Sequence, residues 1–290
     1  MRPHRKLGAT IDAHCHLGPP LLAEDLIKLM DADGVDQAIV FLSPSQWSMH
    51  AKENYYNSND YIADVQAKYP ERLIGFCCIN PRYNGDKSLG MPDLASQELE
   101  RCVKDLGLKG VKIHPEVHCF NLDALCKGKS LNSTMETLAR LQRETDSRIP
   151  LIAHGMTTMG CQVDQFGKLA QDYPDVPVII AHGAGYQNLY FANPDALRDQ
   201  PNLYADTSMC TIDDNRLRGV AKLAGVEKII FGTDAFTRGH EHLYGNFFFV
   251  LERAFPDPDD RELLFGGNIS RILGLQAGLP RVKVSASGSA

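Results

Sequence analysis

The stretch Leu151-Ile152-Ala153-His154-Gly155 returns almost unchanged as Ile179-Ile180-Ala181-His182-Gly183. Each copy contains a short apolar run of the kind that forms a buried strand. The histidine follows directly on the run and so lies at the carboxyl end of its strand, and the glycine after it lets the backbone turn sharply. One histidine in this position is best interpreted as a core residue. Two at equivalent strand ends indicate a shared site.

Six further apolar runs bring the predicted strands to eight. They recur about every 30 residues, which is the length of one βα unit. Strands that alternate with helices form a parallel sheet, and eight of them favour closure into a barrel. The sequence therefore predicts an α/β protein with the (β/α)8 TIM-barrel fold. The predicted strands cover residues 10–13, 37–42, 73–79, 110–113, 150–153, 178–181, 202–205 and 228–231.

The segments between the strands have the spacing of amphipathic helices. In the first, Leu26, Leu29 and Met30 are followed by Gly34, a residue that commonly ends a helix. We expect one barrel domain over residues 1–284 and a disordered tail at 285–290. The predicted helices cover residues 23–33, 59–69, 92–106, 134–145, 164–173 and 213–224, followed by 246–255, 261–265 and 268–275.

Composition narrows the class of protein. The net charge of −6 argues against a nucleic-acid partner. No apolar run approaches the roughly 20 residues that cross a membrane, and none follows the basic N-terminal residues, so we expect a cytoplasmic protein without a secretory signal. The 8 cysteines contain no CxxC pair, which argues against a cysteine zinc site. We expect a small-molecule substrate, and a barrel of this kind is compatible with a homo-oligomer.

Histidines and an acid at the strand ends predict a metal site. His14 and His16 end the first strand, and because side chains alternate along a strand both imidazoles share one face. Asp234 follows the last strand, where a buried carboxylate needs a metal or a polar partner, although a helix N-cap is an alternative. With His154 and His182, these nitrogen and oxygen donors suit Zn²⁺ first, and Mn²⁺ or Fe²⁺ as alternatives.

Four motifs carry a resemblance to a known family: Asp12-Ala13-His14-Cys15-His16, Ala153-His154-Gly155, Ala181-His182-Gly183-Ala184-Gly185 and Phe231-Gly232-Thr233-Asp234. Together they resemble the amidohydrolase superfamily, and within it the group that includes aminocarboxymuconate-semialdehyde decarboxylase. The resemblance spans residues 11 to 275. It implies that His14, His16 and His154 are metal ligands and that Asp234 is a ligand or a proton acceptor beside the metal. It also implies that His182 contacts the metal-bound water, or becomes a ligand in a two-metal variant.

Lys112 and His114 share one face of the fourth predicted strand. The lysine has three interpretations: a carbamylated ligand, as in two-metal members of the superfamily, a cation that binds an acidic substrate, or a structural cation paired with an acid such as Asp12. His114 lies nearer the mouth of the barrel and is a candidate for substrate contact. Trp47, in the long loop 43–58, is a further candidate, with surface packing as its alternative. The second long loop covers residues 116–132.

These residues predict hydrolysis of an amide, ester or lactone bond in a small anionic molecule by a metal-activated water, with Asp234 and His182 as the catalytic residues. The alternative is non-oxidative decarboxylation of an unsaturated or aromatic acid, for which relatives use nearly the same ligands. Such relatives place an arginine near the substrate. The loop 43–58 contains none, so we favour hydrolysis. A third interpretation is a barrel that binds a ligand without catalysis.

Overall fold

Eight parallel strands form one sheet whose order follows the chain. The computed structural model describes residues 8–18, 21–42, 52–83, 93–118, 120, 122, 129–155, 163–183, 194–209, 214–235 and 243–275. Each strand pairs in parallel with the next along the chain. The strands are β1 (Ile11–Leu17), β2 (Gln37–Leu42), β3 (Leu73–Cys78), β4 (Gly110–Ile113), β5 (Leu151–His154), β6 (Val178–Ala181), β7 (Leu203–Asp206) and β8 (Ile229–Ile230).

Helices occupy the connections between the strands, as the predicted alternation requires. The first buries Leu26 and Met30 and ends at Gly34, whose φ of 73° is left-handed. One short helix, between β6 and β7, was not predicted. The α-helices are Ala23–Asp33, Lys52–Lys68, Leu94–Lys104, Lys129–Thr145, Val163–Asp172, Pro194–Asp199, Asp214–Ala224, Leu243–Ala254, Pro258–Glu262 and Asn268–Leu273, with 3₁₀ turns at Pro81–Tyr83 and Val226–Lys228 and a π-helical turn at Leu263–Gly267.

The barrel closes where the ends of β1 and β8 meet. The Asp234 N–H donates to the His14 carbonyl at 2.8 Å, and the His16 N–H donates to the Ala235 carbonyl at 2.6 Å. These bonds continue the pairing beyond the two residues of β8 and bring the β1 histidines beside Asp234. Apolar side chains of the strands are buried throughout and form the core. The predicted (β/α)8 barrel is confirmed.

A buried carboxylate, Asp12, ties the two strand ends together. Its Oδ1 accepts the backbone N–H groups of His14 and Thr233, each at 3.0 Å. Its Oδ2 accepts the Thr233 hydroxyl at 2.5 Å and the Cys15 thiol at 3.0 Å. Burial raises the pKa of Asp12, and the hydrogen bonds act in the opposite direction. The register of β1 against β2 shifts between Asp12 and Cys15, where the carboxylate lies against the chain that follows β8.

Replacing Asp12 with alanine is therefore expected to lower the free energy of unfolding by about 3 kcal/mol or more. The change leaves buried donors of His14, Thr233 and Cys15 without an acceptor, and each unsatisfied buried donor costs about 1–3 kcal/mol. Urea unfolding followed by circular dichroism measures the effect. Asp31→Ala is the control, because the ion pair of Asp31 with Arg72 is half-exposed and should contribute less than about 1 kcal/mol. Equal losses in the two variants would contradict the role given to Asp12.

The described helices are all too short or too polar to cross a lipid bilayer. Residues 276–290, which include the predicted tail at 285–290, lie outside the described residues. The domain limits of 1–284 stay a prediction.

Candidate metal and substrate site

Three side chains meet at the carboxyl end of the barrel, beside the junction of β1 and β8. His14 Nε2 and His16 Nε2 are 3.3 Å apart, on the shared face that strand alternation predicted. Asp234 Oδ1 lies 3.3 Å from His14 Nε2 and 3.1 Å from His16 Nε2. The ring of Phe41 packs edge-on against both imidazoles, with centroid distances of 5.0 and 4.6 Å. We call His14, His16 and Asp234 the first group.

The opposite nitrogen of each imidazole is already engaged. His14 Nδ1 lies 2.7 Å from Asp206 Oδ2, and His16 Nδ1 lies 2.7 Å from the carbonyl oxygen of Leu42. Carboxylate and carbonyl oxygens only accept hydrogen bonds, so each Nδ1 carries its proton and donates it. In the neutral rings each Nε2 therefore presents a lone pair. Two nitrogen lone pairs and one carboxylate oxygen of Asp234 thus face a single point.

This donor set fits a divalent metal ion. Ligand atoms bound at about 2.0–2.2 Å are separated by about 2.8–3.1 Å when the angle between bonds is a right angle and by about 3.3–3.6 Å when it is tetrahedral. The observed separations of 3.1–3.3 Å fall in this range. Imidazole and carboxylate donors suit both Zn²⁺ and Mn²⁺. Hydrogen-bonded Nδ1 atoms are also the usual means of orienting metal-binding histidines.

His154 lies beside the first group but in a second cluster of donors. Its Nδ1 is 3.1 Å from His182 Nε2, and its Nε2 is 3.6 Å from Glu116 Oε2. The ring of His114 stacks on it at a centroid distance of 3.8 Å. We call His114, Glu116 and His154 the second group. His182 connects the two groups, and the role of His154 as a ligand of the same metal as the first group stays a prediction.

Burial keeps the histidines around the second group neutral. It lowers the pKa of His154 to about 2 and that of His182 to about 3. It also holds the pKa of His114 well below its ordinary value. His14 differs, because burial acts to lower its pKa but nearby carboxylates, Asp206 foremost, outweigh burial and raise it. A metal ion at the first group therefore competes with a proton, and its affinity should fall at low pH.

Two predicted site residues have strained backbones. His182 and Asp234 have φ values of 63° and 62°, in the left-handed region. For residues other than glycine this conformation costs of the order of 1–3 kcal/mol and is concentrated at functional sites. Gly183 was expected to provide the turn after β6, but His182 itself provides it. Gly183 is needed for space, because a Cβ atom there would lie 2.9 Å from Cβ of Ile180.

Lys112 is a buried cation next to the first group. Its Nζ lies 3.5 Å from His14 Nε2 and 5.0 Å from the centre of the Phe41 ring. No carboxylate in the described part of the chain forms an ion pair with it, and Asp12, the partner suggested by the sequence, binds Thr233 and Cys15 instead. Burial lowers the pKa of Lys112 to about 8, although Asp206 and Asp234 act to raise it. The side chain is thus mostly protonated at neutral pH.

Asp206 is a site residue that sequence reasoning missed. It is fully buried at the end of β7, where its Oδ2 accepts from His14 Nδ1 and its Oδ1 accepts the backbone N–H of His182 at 2.8 Å. Burial acts to raise the pKa of Asp206, but the neighbouring histidines hold it well below its ordinary value. The signal was present, because this acid directly follows the predicted strand 202–205, much as Asp234 follows the strand 228–231.

One predicted pocket residue cannot be compared with the structure. Trp47, in the predicted loop 43–58, lies outside the described residues. The role of Trp47 in substrate binding stays a prediction.

Two curated relatives resemble this chain in sequence. Gamma-resorcylate decarboxylase of a Polaromonas species is 33% identical in an alignment of length 93 that covers 30% of this chain and 26% of that relative. The 2-amino-3-carboxymuconate-6-semialdehyde decarboxylase of Dictyostelium discoideum is 26% identical in an alignment of length 287 that covers 86% of this chain and 76% of that relative. The first match therefore spans only about a quarter of its relative, whereas the second covers most of both proteins.

A solved structure shows the same fold. It is the 5-carboxyvanillate decarboxylase of Novosphingobium aromaticivorans, complexed with manganese and 4-hydroxy-3-methoxy-5-nitrobenzoic acid. The TM-score is 0.65 at 17% sequence identity, and the alignment covers 92% of this chain and 95% of that one.

The prediction of hydrolysis is wrong, since both sequence relatives are decarboxylases. The predicted metal ligands could not distinguish hydrolysis from decarboxylation, because the same kind of site serves both reactions. The absence of an arginine from the predicted loop 43–58 was a poor criterion for excluding decarboxylation. The structure has another cation, the Lys112 ammonium, 3.5 Å from His14 Nε2.

The amidohydrolase family profile matches residues 11–275, nearly the whole of the chain and the span of the resemblance noted in the sequence. The match includes all eight strands and both groups of donors. The chain therefore belongs to the amidohydrolase family.

Proposed function

We propose that this protein is a metal-dependent decarboxylase that removes CO₂ from a small aromatic or unsaturated carboxylic acid without an oxidant. A decarboxylase that aligns along 86% of the chain supports this reaction class. The structural observation that carries the proposal is the Lys112 ammonium, 3.5 Å from His14 Nε2 and without an ion pair to any described carboxylate. A buried ammonium next to a cation site favours a bound anion, and a substrate carboxylate provides one.

The metal in this proposal is a divalent ion, Zn²⁺ or Mn²⁺, held by His14, His16 and Asp234, with His154 as the fourth protein ligand predicted from the sequence. Manganese is bound in the 5-carboxyvanillate decarboxylase, whose similarity is one of fold. The nitrogen and oxygen donors support Zn²⁺ equally well. When bound, the ion supplies positive charge for the oxygens of the substrate. Asp206 keeps the His14 ring turned towards that position.

Lys112 has the chemistry to bind the substrate and to provide the proton that decarboxylation needs. The C–C bond to the carboxyl group breaks, CO₂ leaves, and the electron pair left on carbon takes up a proton from Nζ. The pKa of Lys112, about 8, is close to neutrality, which suits a general acid. The neutral amine that remains is the form that burial favours, and water returns the proton before the next turnover.

His114 is suited to donate a hydrogen bond to the substrate. Its Nδ1 accepts the Val117 N–H at 3.3 Å, so in the neutral ring Nε2 carries the proton. This agrees with a substrate contact better than with a metal ligand, because a ligand atom needs a lone pair. Asp234 and His182 remain the predicted catalytic residues, the first as an anionic ligand and the second as a partner in proton transfer. Trp47 remains a predicted substrate contact.

Release of CO₂ tests the proposal. Protein dialysed against a chelator and then reloaded with Zn²⁺ or Mn²⁺ is incubated with gamma-resorcylate, 5-carboxyvanillate and a panel of related acids. We expect metal-dependent CO₂ in the headspace, measured by mass spectrometry, and none from the metal-free protein. The methyl ester of gamma-resorcylate is the matched control, because it offers no free carboxylate. Metal-dependent release of methanol from the ester, with no CO₂ from any acid, would contradict the proposal.

A further inference from the structure

We propose that Ser208, which neither the sequence motifs nor the family resemblance single out, is a positioning residue that determines which ring nitrogen of His182 carries the proton. The effect on turnover rests on the proposed function, whereas the state of the His182 ring does not. Ser208 follows β7 and is fully buried, two residues after Asp206.

Ser208 lies between a carboxylate and an imidazole. Its Oγ is within hydrogen-bond distance of Asp206 Oδ1 and 2.8 Å from His182 Nδ1. The same Asp206 oxygen accepts two backbone N–H groups, from His182 at 2.8 Å and from Ser208 at 3.1 Å. The His182 N–H also lies 3.2 Å from Ser208 Oγ. The backbone and the ring of His182 are thus held by the same two residues.

The direction of each hydrogen bond follows from the donors available. Asp206 Oδ1 accepts from backbone groups, and a carboxylate oxygen has no proton to give, so the Ser208 hydroxyl donates to it. A hydroxyl has a single proton, and Ser208 Oγ can therefore only accept from His182 Nδ1. His14 Nδ1 is also 3.3 Å from Ser208 Oγ, but its proton points to Asp206 Oδ2 at 2.7 Å. His182 therefore carries its proton on Nδ1 and a lone pair on Nε2.

The tautomer of His182 also determines which ring nitrogen of His154 carries the proton. His182 Nε2 is 3.1 Å from His154 Nδ1, so a lone pair on His182 requires the proton of His154 to be on Nδ1. His154 Nε2 is then unprotonated, and it is a buried atom without a hydrogen-bond partner in the described structure. A series of hydrogen bonds from Asp206 through Ser208 and His182 thereby leaves Nε2 of His154 with a lone pair that can bind a ligand. The same buried acid orients His14 in the first group and, through Ser208, His154 in the second.

The tautomer of His182 can be observed directly. We would record long-range ¹⁵N–¹H correlation spectra of the histidine-labelled protein at neutral pH, after a chelator has removed any metal that would itself fix the proton of His154, and assign His182 by its loss in His182→Gln. We expect a protonated Nδ1 in the wild type and in Ser208→Thr, which keeps the hydroxyl. In Ser208→Ala we expect the proton to move partly or wholly to Nε2. With an acid substrate, kcat of Ser208→Ala should fall about 10–100-fold and recover in Ser208→Thr.

Thr207→Val is the matched control. Thr207 is an equally buried hydroxyl, but it binds the backbone of Gly232 and not His182. Its loss should lower stability and leave the His182 resonances unchanged. If Ser208→Ala does not fold, Ser208→Cys takes its place, because sulfur is a weaker acceptor. An unchanged His182 tautomer on removal of the Ser208 hydroxyl, or an equal change in Thr207→Val, would overturn the proposal. A changed tautomer in a protein that releases no CO₂ would support it and contradict the proposed function alone.

Discussion

Replacing Asp234 with asparagine is expected to lower kcat/KM for an acid substrate about 1,000-fold or more. The carboxylate is the single anion of the first group, lying 3.1 and 3.3 Å from the two histidine Nε2 atoms. Its pKa is well below the ordinary value, because His14 and His16 outweigh the effect of burial, so the group is fully ionised at neutral pH. A metal contributes several kcal/mol to catalysis, and about 4 kcal/mol corresponds to a factor of about 1,000.

The substitution removes the negative charge of residue 234 and is expected to leave the fold unchanged. Asparagine has nearly the same shape and tolerates the left-handed φ of 62° found at this position. Asp146→Asn is the control, because Asp146 is also left-handed, at 48°, and is exposed far from the site. Steady-state kinetics and the metal content of both variants, measured by mass spectrometry, decide the result. Wild-type kcat/KM and metal content in Asp234→Asn would show that the first group does not take part in the mechanism.

Replacing Lys112 with methionine is expected to have opposite effects on activity and stability. The change removes the ammonium next to the first group, and with it the proposed anchor and proton donor for the substrate. We expect kcat/KM to fall at least 100-fold, because an interaction with a buried charge and a proton transfer are lost together. Methionine fills a similar volume, and its sulfur can pack against the Phe41 ring that the ammonium faces in the wild type. Initial rates of CO₂ release measure the loss.

Stability should rise in the same variant. Lowering the pKa of Lys112 from 10.5 to about 8 corresponds to about 3 kcal/mol against the charged form in the folded protein. Between these two pH values the unfolded chain binds more protons than the folded protein, so the free energy of unfolding of the wild type should increase as the pH rises. We therefore expect metal-free Lys112→Met to be about 2–3 kcal/mol more stable than the wild type at pH 7 and to lose that advantage towards pH 10.5.

Lys109→Met provides the control for both effects. Lys109 lies just before β4 and is exposed, so its charge is solvated in the folded and the unfolded states. Neither kcat/KM nor the pH dependence of stability should change in that variant. A Lys112→Met protein that is less stable than the wild type at pH 7 would mean that the ammonium is a structural cation.

The barrel was predictable because its signals are local. The bounds of β2, β4 and β6 agree with the predicted strands 37–42, 110–113 and 178–181, since each is an apolar run with clear ends. The helix Lys52–Lys68 begins before the predicted residue 59, because its polar first half lacks apolar periodicity. The helix Pro194–Asp199 was missed because six residues are too few for a helical period.

The site was predictable only in part, for a different reason. Strand alternation was enough to place His14 and His16 on one face, because both residues are in the same strand. The contacts of Asp206 and Ser208 join β7 to β1 and to the end of β6, and such contacts leave no periodic pattern. The sequence pattern contained no signal that could identify the reaction class. A metal donor set is common to hydrolysis and decarboxylation, and what differs is the fate of the substrate.

The most direct test is therefore to follow the atoms of the carboxyl group. The acid of the panel that reacts fastest is labelled with ¹³C at its carboxyl carbon and turned over by the metal-loaded protein in deuterated, ¹⁸O-enriched water. We expect one ¹³CO₂ for each product molecule, one deuterium on the carbon that lost the carboxyl group, and no ¹⁸O in the product. Product incubated without protein controls for exchange. A product that contains ¹⁸O from water and retains its ¹³C label would contradict decarboxylation as the reaction of this site.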